Sequence, residues 1–124
     1  MRSKSLTTTI AINETASAGR LVASIQIASI QFPAAWTGTD PTVKIQIVAE
    51  SNMQVAADLP AESDWTDAVT ENGEVITIRV HTGKTVVLTG VALAAMAAAH
   101  WVRFVASASQ GAARTITING VMAG

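Results

Sequence analysis

The sequence predicts an all-β fold, an antiparallel β-sandwich of jelly-roll-like type with one short helix near residues 91–99. Three observations predict it. Val and Ile far outnumber Leu, and Thr occurs 15 times; the stiff χ1 of β-branched residues suits a pleated surface. Apolar residues alternate with period two along most of the chain, the pattern of half-buried strands. Turn-forming clusters punctuate these runs about every 8–14 residues, a spacing that favours a sandwich over a parallel α/β sheet.

The first strand is Leu6 to Ile12, with Leu6, Thr8, Ile10 and Ile12 on one face. Small residues from Glu14 to Gly19 make a turn. From Arg20 to Phe32 the alternation starts on Leu21, Ala23, Ile25 and Ile27, then continues on Ala28, Ile30 and Phe32. The phase slips by one near Ile27-Ala28, as a β-bulge or a strand passing from one sheet to the other would require. Pro33 cannot donate to a ladder and ends the strand, and Thr37 to Pro41 is turn chemistry. Val43, Ile45, Ile47 and Ala49 line one face of the next strand, with Lys44, Gln46 and Val48 on the other.

Between Glu50 and Asn72 the periodicity fades into a polar excursion with room for one short strand around Val55 or Val69. Asn72-Gly73 turns the chain into a strand over Val75 to Val80, and Thr82-Gly83 into Thr85 to Leu88. Gly90 to Ala99 is rich in Ala and Leu and predicts one or two helical turns. Trp101 to Ala106 sets Trp101, Arg103 and Val105 against Val102, Phe104 and Ala106, and the last strand is Thr115 to Ile118. No repeat or linker divides the chain. Residues 1–124 read as one domain with an extended N-terminal strand or arm over about residues 1–13.

Composition narrows the function. There is no Cys, so the core forms from apolar burial alone, without disulfides or a thiolate metal site. Charged residues make up 14% of the chain with a net charge of -1, against about 25% in an average domain. The five Arg and three Lys are scattered, which argues against a nucleic-acid partner. The 23 Ala residues, with Thr, Ser and Gln, give a surface that is cheap to desolvate and suits lasting contact with a partner.

Arg2, Lys4 and Ala16-Ser17-Ala18 imitate a secretory leader. Thr7-Thr8-Thr9 interrupt its apolar stretch, so no cleavage is expected. Val86 to Ala106 is long enough to span a bilayer, but it is mostly Ala and contains His100 and Arg103, so no membrane association is expected.

No catalytic residue and no cofactor is predicted. His81 and His100 are the only imidazoles and read as structural, and neither a nucleophile elbow nor a phosphate loop is present. Glu62, Asp64 and Asp67 offer oxygens to a cation such as Ca²⁺, but their spacing fits no EF-hand, and a solvated loop is the favoured reading. Of the three Trp residues, Trp101 alternates within a strand and reads as core. Trp36 and Trp65 lie near loops and are candidates for contact with a partner or a glycan.

Phe32-Pro33-Ala34-Ala35-Trp36-Thr37-Gly38-Thr39-Asp40 is similar to the Pro-x-x-Trp-Thr segment of small proteins encoded among the head and tail genes of tailed bacteriophages. Gly83 to Leu88, the Ala/Leu stretch, Trp101-Val102-Arg103-Phe104 and Ala112 to Ile118 follow in the order that family shows, so the resemblance spans about residues 30 to 118. Its departures are the longer loop holding Asn52-Met53 and Ser63 to Asp67, and Ala106 to Ser109 where relatives have Ser-Gly-Thr.

The resemblance implies a non-enzymatic virion structural protein, a capsid decoration or cement protein located on the phage head in preference to the tail. Its partners would be the major capsid protein or other virion proteins, and by analogy it would be a homo-oligomer, a trimer. The alternative is a tail or head-spike base component that binds glycans. Leu6, Thr8, Ile10, Trp36 and Trp65 are the partner-binding candidates, the first three through addition of the segment Ser3 to Asn13 to a neighbour's sheet edge.

Overall fold

The computed structural model describes residues 2–48 and 60–122. The expected positions of Ala49, Asn52-Met53 and a strand at Val55 lie outside the described residues. Among the described residues nine strands form two antiparallel sheets: β1 Ser3–Ile10, β2 Arg20–Leu21, β3 Ile25–Gln31, β4 Thr42–Val48, β5 Thr66–Asp67, β6 Thr77–Arg79, β7 Thr85–Val87, β8 Trp101–Ala106 and β9 Arg114–Met122. Among the same residues one α-helix, α1, spans Gly90–Ala98. Among the described residues no helix is long and apolar enough to cross a membrane.

One sheet has the order β1-β9-β3-β7 and the other β2-β8-β4-β5, with β6 pairing β4 beside β5. The pairings are nested: β1 with β9, β2 with β8, β3 with β7, and β4 with β5 and β6. Successive pairs alternate between the sheets. This is one long antiparallel hairpin rolled up, with β9–β3 and β8–β4 as the contacts that close the roll. It is the jelly-roll topology.

Burial follows the alternation. Ile10, Ile27, Ile30, Val43, Ile45, Val102, Phe104, Ile116 and Ile118 face inward from both sheets and form one core with Phe32 and Met96. The phase slip is both of the devices the sequence allowed. A turn at Ala23-Ser24 separates β2 in one sheet from β3 in the other. Within β3 the register with β9 then shifts between Ile27 and Ser29, leaving Ala28 as the bulge. The expected face is corrected accordingly: Val22 is buried, whereas Ala23 and the bulge residue Ala28 are exposed.

Gly120 faces the bulge, pairing with Ile27. A methyl group there would press into the Gln26 carbonyl, 2.9 Å from its carbon and 2.9 Å from Ile25 Cγ2, so only glycine lets the strands meet.

Ser3 to Ile10 form a paired strand, not a free arm. β1 pairs with β9 of its own chain over its whole length, from Ser3 opposite Val121 to Ile10 opposite Arg114. At its far end the Ala16–Ala18 segment stitches the two sheets together. Ser17 bridges to Ile10, its N–H donates to the Phe104 carbonyl (2.8 Å), and its Oγ accepts from the Phe104 N–H (2.9 Å). Ile12, expected on the inner face, lies beyond the strand and is 57% exposed.

Helix α1 closes the opposite edge of the sandwich, packing on β3 and β4 through buried Ala95 and Met96. It carries no charged residue, so nothing favours water over contact on its outer side.

Candidate functional site

Three groups of side chains matter: a polar lock, a charged row and an apolar face. The lock joins the segment at Trp36-Thr37 to the turn around Gln110 and Gly111. Gln110 is 1% exposed. Its Oε1 accepts from the Thr37 N–H (2.9 Å), and its Nε2 donates to the carbonyls of Thr37 (3.1 Å) and Ala108 (2.9 Å). Thr37 Oγ1 accepts from the Gly111 N–H and from Arg114 Nη2, both at 3.0 Å. Trp36 beside it packs edge-on against buried Phe32, with ring centroids 5.7 Å apart. The Trp-Thr pair and Arg114 are thus structural parts that pin the β3–β4 connection to the β8–β9 turn. Trp36, a candidate contact residue, is half-buried against the core, and its buried Nε1 has no partner among the described residues.

The charged row lies on the outer face of the β2-β8-β4-β5 sheet. Gln46 stands opposite Asp67 on one side and Arg103 on the other. Gln46 Nε2 donates to Asp67 Oδ1 (2.9 Å), and Arg103 Nε donates to Gln46 Oε1 (2.7 Å). Arg103 also donates through both terminal nitrogens to Glu62, at 2.9 and 2.7 Å. Lys44 pairs with Asp67 at 3.1 Å. The bidentate bond to Arg103, then its charge, hold the Glu62 carboxyl below its ordinary range. Hydrogen bonds from Gln46 and Lys44 do the same for Asp67.

Trp65 covers this row, its ring 4.7 Å from the Arg103 guanidinium carbon. It fits because residue 19 is glycine; a methyl group there would stand 2.5 Å from Trp65 Cζ2. Arg103 is only 9% exposed beneath it.

The three candidate metal ligands do not converge. Glu62 is engaged by Arg103, Asp67 by Lys44 and Gln46, and Asp64 Oδ2 accepts from the Ala61 N–H across a single 3₁₀ turn at Glu62–Asp64 (2.9 Å). Among the described residues no group of carboxylates and imidazoles is placed to hold a metal ion. Of the partner-binding candidates on β1, Thr8 and Ile10 are buried and Leu6 packs against the core of this chain. Trp101 is buried as expected, but it shares the outer face with Arg103 and lies outside the main core cluster.

The third group is apolar and exposed. Val87 is 72% exposed on the edge strand β7, and Val91 and Leu93 of α1 are exposed. Ala94, Ala97 and Ala98 extend the helix's uncharged exterior. In the sequence these residues look like core, because a uniformly apolar helix normally is. Between α1 and the loop from Ala68 to Glu74 runs an open groove of about 720 Å³, lined by Val69, Ile76, Val91, Ala94 and Ala98 among others. No family model, curated protein or solved structure matches the chain.

Proposed function

We propose that this chain is a non-enzymatic structural component of a tailed-phage virion, a decoration protein that binds the head lattice as a homo-oligomer and stabilises it. The observation that carries the proposal is the uncharged exterior of α1, on which Val91, Leu93, Ala94, Ala97 and Ala98 are exposed, together with exposed Val87 on β7. Scattered surface valines need no explanation, but a helix with no polar face points to a partner. The order of the phage-like motifs in the sequence supports the reading. The jelly roll adds an analogy at the level of fold, since viral capsid and lectin domains both use it.

The lectin half of that analogy has little to rest on here. Trp36 is packed on Phe32 and Trp65 on Gly19 and Arg103, so neither offers a free aromatic platform for a sugar.

A protein that binds the assembled lattice and not the free capsid subunit raises the temperature at which heads break, by mass action. Heads lacking the protein, re-incubated with the wild-type chain, regain that temperature. Val87→Lys with Leu93→Lys lowers occupancy without unfolding the chain, because both positions are exposed. Full occupancy by the double variant would refute the role of this face. Truncating β1 is no substitute test, because it removes buried Thr8 and Ile10.

A further inference from the structure

The groove beside α1 has a chemistry that selects its occupant. Most of its lining is aliphatic, with exposed Val69 from the loop and exposed Val91 from α1. Every ionisable side chain that lines it is acidic: Asp67, Glu71 and Glu74. Asp67 is neutralised by Lys44, whereas Glu71 and Glu74 have no ion-pair partner among the described residues. Both are held on a fixed turn. The Thr70 N–H donates to the Glu74 carbonyl (2.8 Å), the Glu74 N–H to Thr70 Oγ1 (3.2 Å), and Gly73 supplies the positive φ of 83°. The acidic rim therefore borders the apolar channel at a defined position.

We infer that this groove docks a segment of a partner protein that presents aliphatic side chains flanked by lysine or arginine. The aliphatic groups cover Val69, Val91 and Ala94, and the cations answer Glu71 and Glu74. An acidic segment would meet like charge, and a wholly apolar one would leave both carboxylates facing uncharged surface. Helix-in-groove recognition of this kind places apolar anchors along one face of the incoming segment and polar groups at its borders. The inference stands on the groove alone and does not require the virion reading.

The test is a titration of the full chain, followed by backbone amide resonances. The probe is a synthetic helix of about 18 residues with Leu at helical spacing and Lys elsewhere. Its counterpart replaces every Lys with Glu. The Leu/Lys peptide is expected to shift the amides of Val69 to Glu74 and Val91 to Ala98 saturably, and the Leu/Glu peptide to bind much more weakly. Glu71→Lys with Glu74→Lys lowers affinity for the Leu/Lys peptide about tenfold, the scale of two exposed ion pairs. Ala94→Gln, at an exposed helix position, fills the channel and lowers it further.

Equal binding of both peptides, shifts scattered over the surface, or unchanged affinity in these variants would each overturn the inference. So would shifts of the same amides with protein concentration alone, which would make a second copy the occupant. Because no particle enters the assay, failure here leaves the head-binding experiment to be decided on its own result.

Discussion

Replacing Gln110 by Met keeps the side-chain volume nearly constant and removes the amide that locks the β3–β4 connection in place. Four hydrogen bonds go with it: from the Thr37 N–H, to the carbonyls of Thr37 and Ala108, and from Arg114 Nε. Each is worth about 0.5–1.5 kcal/mol net, and main-chain groups left unpaired near a 1%-exposed site add a desolvation cost. Discounting for water reaching the outer end of the network, the expected loss is about 3 kcal/mol, or roughly 10 °C in Tm for a chain of this size. Urea denaturation followed by tryptophan fluorescence reads it directly, since Trp36 adjoins the lock. Thr37→Val removes only the hydroxyl bonds to Gly111 and Arg114, leaves the Gln110 bonds intact, and costs less. If Gln110→Met lost under about 1 kcal/mol, or if Thr37→Val proved the more damaging, the lock would not be what holds these motifs together.

Gly120→Ala should destabilise by about 2 kcal/mol, because its methyl meets the backbone of Gln26, while Gly111→Ala, whose methyl would sit 3.5 Å from Thr37 Oγ1, stays within about 0.5 kcal/mol in the same thermal melts. Gly19→Ala displaces Trp65 and costs about 1–3 kcal/mol; in a Trp65→Ala background the same change is nearly neutral, which a double-mutant cycle reads as coupling. The carboxyls of Glu62 and Asp67 sit below their ordinary values of 4.5 and 3.8. Their contribution is therefore complete above those values and fades as pH falls through the lowered ones. Denaturation midpoints measured from about pH 6 to pH 3 fall somewhat further for the wild type than for Glu62→Gln with Asp67→Asn.

What the sequence made legible was whatever depends on local period. The slip at Ile27-Ala28 marked both the bulge and, a few residues earlier, the passage between sheets; the Ala-rich run marked α1; and the alternation put Lys44 and Gln46 on one side of β4 and Arg103 with Trp101 on one side of β8. What it hid depends on register between distant strands. Nothing local says that Gly19 leaves space for Trp65, that Gln110 reaches back to Thr37, or that Gly120 must face the bulge. Burial was misread for a related reason. Thr8 and Ile10 looked available because β1 lies at the chain terminus, yet its pairing with β9 turns them inward. Nothing in the period marked Val87, Val91 and Leu93 as exposed, because apolar composition does not say which apolar side chains the fold leaves uncovered.

The central claim, that this chain decorates a phage head, is tested most directly by its copy number in purified particles, counted by quantitative mass spectrometry against the major capsid protein. A lattice-bound decoration protein is present in hundreds of copies per head, in a fixed small-integer ratio to capsid subunits set by the lattice symmetry. Absence from the particle, or a count of about a dozen or fewer confined to the tail or portal, would contradict it.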